Sequence, residues 1–402
     1  MQPSPNDKLS TARGAVQLGV DAVAGVVGIV ERMHGVIQRT PWPLGGASAA
    51  GARGVAGLVY GIIRGSTYLV GRGLDASLAL LPPLPEGEES AGRIAVLAAL
   101  NGVCGDYLRR TGNPLALDMS LRSGGKRIDM ADLARSLQAA TGQPLSGRLL
   151  LMAHGLCMND LQWSRNGHDH GALLAAETGC TALYLRYNSG LHIADNGRRL
   201  AELLQQLVAR WPVPLVEISI IGHSMGGLVA RSACLFAKEN GHAWPDRLRK
   251  LVFLGSPHLG APLERGGHWL ENLLGLSPYS APLARLGDVR SAGIRDLRRG
   301  AISRGHDNGL VPLPEGVQCY ALAGTLGKRD GVVAERLFGD GLVPLNSALG
   351  RAGDGSQMFD MPDAHQWIVD ETGHLDLLCR PEVYDRLRIW FADAAPNGGG
   401  AH

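Results

Sequence analysis

One stretch constrains the fold of this chain more than any other. The run Val216-Glu217-Ile218-Ser219-Ile220-Ile221 reads as a strand, Gly222-His223-Ser224-Met225-Gly226-Gly227 as a turn, and the residues from Leu228 to about Glu239 as a helix. A strand that passes into a helix through a single Gly-x-Ser-x-Gly turn brings the two backbones close together. Gly222 and Gly226 supply the room, and Ser224 takes a strained backbone between them. The serine also stands at a helix N-terminus, where free N–H groups and the helix dipole favour developing negative charge. The chain holds 56 glycines in 402 residues, about twice ordinary usage, so the bare pattern could arise by chance. The strand before it and the helix after it make it a nucleophile elbow.

Around the elbow, strands and helices alternate. A hairpin is expected from Leu115 to Ile128 with its turn at Ser123-Gly124-Gly125, and a helix from Met130 to Ala140. Strands follow at Arg148–Ala153, Thr181–Tyr187, Lys250–Leu254 and Val317–Gly324, with helices at Asp195–Arg210 and Pro381–Asp393. Apolar strands separated by helices imply right-handed crossovers and a mostly parallel sheet covered on both faces. The body is therefore expected to span residues 113–395, with a cap or lid insertion at 259–316 and a disordered tail at 396–402. Trp269, Leu273 and Leu274 in the insertion are candidates for an apolar substrate pocket over the carboxyl ends of the strands.

Residues 1–112 read as a helical extension. Val16, Val20, Val23, Val27 and Val30 share a helical face, Leu58, Ile62 and Leu69 mark a second helix, and a third runs from Ala91 to Arg110. Asp21, Arg64 and Arg72 interrupt the apolar runs, none of which approaches the ~18 uncharged residues of a membrane span. Packing on the body is one reading of these helices, and an amphipathic face lying on a lipid surface is the other. The N-terminus has no basic segment leading into an apolar one, so a cytoplasmic location is expected. A net charge of +2 offers no long-range attraction for nucleic acid. The six cysteines form no C-x-x-C pair and suggest neither a zinc site nor a disulfide framework; no metal or cofactor is expected.

A serine hydroxyl needs a base to take its proton and an acid to orient that base. In an elbow fold the acid and then the histidine follow the serine, each on a loop after a strand. Asp340, between Gly339 and Gly341 after the Val317–Gly324 strand, is the leading acid. Asp307, Asp330, Asp360 and Asp363 are the alternatives. His374, on the loop after Gln366–Val369, is the leading base, with His365 its rival. The oxyanion would be held by the N–H of Met225, directly after the serine, and by that of Leu156 in His154-Gly155-Leu156, where a strand ends. His154 is expected to fix that loop, not to act as a base.

These motifs, together with Gly255-Ser256-Pro257-His258 and Asp340-Gly341-Leu342-Val343-Pro344, resemble bacterial lipases and esterases of the α/β-hydrolase superfamily. They are also similar to the lipase-like domain of GPI inositol-deacylases. The resemblance covers about residues 145 to 395. It implies an α/β-hydrolase fold and hydrolysis of a small-molecule or lipid ester, with Ser224, Asp340 and His374 as the triad. Acyl transfer or thioester cleavage on the same triad is an open alternative, as is a membrane-associated interaction protein with a vestigial triad. The first hundred residues have no counterpart in the resemblance, and neither an export signal nor a sure set of calcium ligands accompanies it.

Overall fold

The computed structural model describes residues 91–142, 144–260, 291–304, 311–327, 339–352 and 356–392. The helices expected before residue 91, the tail at 396–402, the pocket candidates Trp269, Leu273 and Leu274, and the alternative acids Asp307 and Asp330 lie outside the described residues. The chain divides into two units, and the one that holds the sheet comprises residues 91–107 and 117–402.

The elements run α1 (Ala91–Arg110), β1 (Ser120–Ser123), β2 (Lys126–Arg127), α2 (Leu133–Thr141), β3 (Arg148–Ala153), α3 (His170–Thr178), β4 (Thr181–Arg186), α4 (Ile193–Arg210) and β5 (Glu217–His223). Then follow α5 (Met225–Glu239), β6 (Leu248–Leu254), α6 (Ala292–Arg299), β7 (Gln318–Gly324), α7 (Leu345–Ala348), β8 (Gln366–Val369) and α8 (Pro381–Ala392). The hairpin is shorter than its sequence suggests. Its turn stands where expected, with Gly124 and Gly125 at φ +55° and +76°, a backbone that costs glycine little.

The described strands form one eight-stranded sheet in the order β2-β1-β4-β3-β5-β6-β7-β8. β1 is antiparallel to both its neighbours, and every pairing from β4 across to β8 is parallel. Because successive side chains point to opposite faces, each central strand feeds two cores. Leu149, Leu151, Ile218, Ile220, Leu251 and Phe253 pack on one side with Leu200 and Leu204 of α4 and Leu228 and Val229 of α5. Leu150, Met152, Ile221, Val252 and Leu254 pack on the other with Leu174 of α3 and Val383, Leu387 and Trp390 of α8. Burial on both faces explains why these strands are continuously apolar, each large side chain contributing roughly 1.5–3 kcal/mol.

Parallel strands carry their carboxyl ends to one edge, which is where open α/β sheets present their sites. Here the registers Ala153↔Gly222 and Gly222↔Phe253 set the end of β3, the elbow after β5 and the end of β6 side by side. The loops after β7 and β8 leave from the same edge.

Candidate active site

Ser224 has φ +53° and ψ −123° and is the residue on which α5 begins. Such a backbone costs a non-glycine residue roughly 1–3 kcal/mol and survives only where the surroundings impose it. They do so by close packing: a Cβ at Gly222 would lie 2.4 Å from the Gly227 nitrogen, and one at Gly226 2.1 Å from the Ala153 oxygen. The Ser224 N–H donates to the Leu254 carbonyl at 2.8 Å, which ties the turn to β6.

Asp340 sits between Gly339 (φ +61°) and Gly341 (φ +91°). One carboxylate oxygen, Oδ1, accepts from the N–H groups of Leu342 (3.0 Å) and Val343 (2.9 Å). The other, Oδ2, accepts from His374 Nδ1 at 2.7 Å, and both side chains are about fully buried, at 1% and 2% exposure. A carboxylate facing Nδ1 fixes the proton there and leaves Nε2 as the basic nitrogen. The His374 N–H donates to the Asp340 carbonyl at 3.1 Å, so backbone and side chain hold the pair together.

The elbow reaches this pair through its own histidine. His223 Nε2 donates to the His374 carbonyl at 3.0 Å, and the two ring centroids are 4.6 Å apart. Burial, then the neighbouring His374, holds the His223 imidazole well below its ordinary range, so it is neutral. Space for this arrangement comes from Gly255, where a Cβ would lie 3.0 Å from Asp340 Oδ2 and 3.3 Å from His374 Cε1.

β3 delivers the remaining loop. His154 is fully buried and stacks on Tyr187 at 4.4 Å; its Nδ1 donates to the Gly155 carbonyl at 2.8 Å, while the Tyr187 hydroxyl donates to the His154 carbonyl at 2.8 Å. Burial pushes the His154 imidazole down to about 4. A neutral, stacked ring suits the holding role expected of it. A Cβ at Gly155 would lie 3.1 Å from Ser224 Cβ and 3.1 Å from His223 Nδ1, so only glycine lets this loop approach the serine. Among the described residues the N–H groups of Leu156 and Met225 have no acceptor. They are two free donors beside one strained serine.

The alternative partners lie elsewhere. His365 precedes β8 and donates to the Cys319 carbonyl at 3.0 Å, at the opposite edge of the sheet from Ser224. Asp363 is exposed and accepts from Gln357 at 3.1 Å; Asp360 is exposed as well. Among the described residues no group of three or more histidine, cysteine or acidic side chains could hold a metal ion, and no helix is long and apolar enough to cross a membrane.

Residues 145–279 match the family model described as a PGAP1-like alpha/beta domain. The fold is an α/β-hydrolase fold. Among solved structures the chain is similar to the mature lipase BlEst2 of Bacillus licheniformis, with 17% identity over 62% of this chain and 96% of that one and a TM-score of 0.42. It is also similar to a thermophilic esterase from Thermogutta terrifontis, with 14% identity, 69% and 93% coverage and a TM-score of 0.39. A third is MGS-MChE2, an α/β-hydrolase enzyme from the sediment metagenome of the lagoon of Mar Chica, with 20% identity, 62% and 92% coverage and a TM-score of 0.35. No curated protein matches the sequence.

Two contributors to the site escape sequence reading. Ser189 accepts the Cys157 N–H at 3.1 Å, and Tyr187 braces His154. The signal available was positional: Tyr187-Asn188-Ser189-Gly190 follows β4 at the same sheet edge. Gly255, singled out by its motif, makes room for the acid–base pair.

Proposed function

We propose that this chain is a serine hydrolase that cleaves carboxylic esters of a small molecule or lipid. The observation that carries the reading is the buried 2.7 Å contact between Asp340 and His374, linked through His223 to the strained strand-to-helix turn of Ser224. In this mechanism Asp340 holds the proton on His374 Nδ1, so Nε2 takes the Ser224 proton as the hydroxyl attacks the ester carbonyl. The Leu156 and Met225 N–H groups receive the charge that develops on the carbonyl oxygen. His374 then gives its proton to the leaving alcohol, and an acyl group remains on Ser224. Water, deprotonated by the same nitrogen, attacks the acyl carbonyl, and collapse of the second oxyanion releases the acid and restores the serine.

The test is turnover of a p-nitrophenyl acyl ester. Ser224→Ala is expected to lower kcat by roughly 10⁶-fold while circular dichroism and the unfolding midpoint stay at wild-type values. Activity retained by a folded Ser224→Ala protein would remove the assignment.

A further inference from the structure

Residues 91–107 of α1 belong to the same unit as the sheet, although from sequence they are expected to lie in an extension that ends at residue 112. The contact is made through Gly102 and Gly105, on either side of Cys104, where the helix is interrupted by a non-helical backbone (φ −134°, ψ +23°). A Cβ at Gly102 would lie 2.2 Å from Cys157 Sγ and 2.9 Å from both the Cys157 Cα and nitrogen. Cys157 is the residue directly after Leu156, and it is held at φ +60°, a backbone that non-glycine residues rarely adopt. Its thiol donates to the Ala99 carbonyl at 3.8 Å, and its N–H donates to Ser189 on the far side.

The second glycine clamps the loop after β4. A Cβ at Gly105 would lie 1.9 Å from Asn188 Oδ1, and one at Gly190 2.0 Å from the Asn101 oxygen; Asn188 Nδ2 donates to the Gly105 carbonyl at 3.0 Å. The helix is anchored from outside as well. Ser291 Oγ donates to the Gly102 carbonyl at 2.7 Å, and the Ala292 N–H to Asp106 Oδ2 at 3.0 Å. So α1 lies backbone-close against both the loop that carries Leu156 and the loop that braces it.

We propose that residues 91–107 of α1 are part of the catalytic body and that Gly102 is a positioning residue for the Leu156 N–H. This rests on the ester-hydrolase reading for its meaning in catalysis. Any side chain at Gly102 displaces the Cys157 backbone, and the shift passes through the Leu156 Cα to the Gly155–Leu156 peptide, whose N–H is the donor. A misplacement of about 1 Å at a reacting centre can cost roughly 10²-fold in rate.

Gly102→Ala in the full chain is the test. The expected result is a 30- to 100-fold loss of kcat on a p-nitrophenyl ester with KM within about threefold of wild type. The affinity for a trifluoromethyl ketone, which forms the tetrahedral oxyanion on Ser224, should fall in the same proportion. Adding Cys157→Gly to Gly102→Ala removes the nearest clashing atom and should return part of both losses, an outcome general destabilisation would not give. Wild-type kcat in Gly102→Ala, or a kcat loss with unchanged ketone affinity, would overturn the proposal.

Should Gly102→Ala not fold, Cys157→Gly alone carries the test: it should raise amide exchange across residues 154–158, and unchanged exchange there would count against the clamp. If the wild-type protein turns over no ester, the ester-hydrolase reading falls. The same exchange measurement then still decides whether α1 holds the loop.

Discussion

At the scale of single residues the site depends on which imidazole nitrogen carries a proton. Asp340 Oδ2 faces His374 Nδ1 at 2.7 Å, while Oδ1 is occupied by the N–H groups of Leu342 and Val343. Replacing Asp340 by asparagine keeps the shape and can turn an amide N–H towards Nδ1, which then becomes the acceptor and leaves the proton on Nε2. Steady-state kinetics on an acyl ester should show kcat lower by about 10³–10⁴-fold with KM nearly unchanged; a drop below tenfold would mean that Asp340 does not set the tautomer. His223→Phe tests a different link, since it fills similar space but cannot donate to the His374 carbonyl. We expect kcat to fall by 10- to 100-fold with the pH dependence of kcat/KM displaced, and an unchanged profile would reduce His223 to a filler. Ser224 could be read from its spacing, and the acid and base from their order along the chain. The hydrogen bond from His223 to His374 could not, because it joins residues 151 positions apart and neither residue's neighbours encode the other.

At the scale of elements, the elbow works because β5 and α5 pass closer than side chains allow. Gly226→Ala puts a methyl carbon where the Ala153 oxygen stands 2.1 Å away, so β3 or α5 must move. Overpacking of this kind costs about 1–3 kcal/mol, read as a lower urea midpoint with an unchanged slope, and activity should fall further than stability because the Leu156 loop continues from Ala153. A Gly226→Ala protein with both properties intact would show that the approach is not needed. The elbow, the central strands and α4, α5 and α8 are legible from sequence because each is buried along a face or on both, so that apolar period and element type agree. Boundaries are less so. The expected hairpin from Leu115 to Ile128 shrinks to Ser120–Arg127, since strand pairing begins only where Ser120 meets Arg186 of β4. The packing of Gly102 and Gly105 left no trace in sequence, because a glycine required by a partner 55 or 83 residues away looks like any other glycine in a glycine-rich chain.

At the scale of the whole molecule, burying so many imidazoles ties folding to pH. His154, His170, His223 and His258 are all inaccessible to solvent, and burial is the first cause holding each below the ordinary histidine value. His154 and His170 are pushed down to about 4. His170 is enclosed by the Leu377 carbonyl at 3.0 Å, which accepts from its Nε2, and by His168 at 2.7 Å, which donates to its Nδ1. Neither contact on His170 comes from a carboxylate that could stabilise an imidazolium. An unfolded chain protonates these rings near pH 6.5, the native chain only near 4, so between those values the unfolded state binds protons that the native state refuses. Native stability is therefore complete above about pH 6.5 and is lost as the pH falls towards 4, by up to about 3 kcal/mol for each of the two rings. Thermal unfolding followed from pH 8 to pH 4 should show Tm level at the alkaline end and falling steeply below 6.5, with proton uptake on unfolding. His170→Gln, which keeps one donor and one acceptor but cannot be charged, should remove part of the slope. A Tm that stays level from pH 6.5 to 4 would mean these rings gain their protons without unfolding, and that the interior around β3, α3 and the His374 loop is open to water in a way its packing does not suggest.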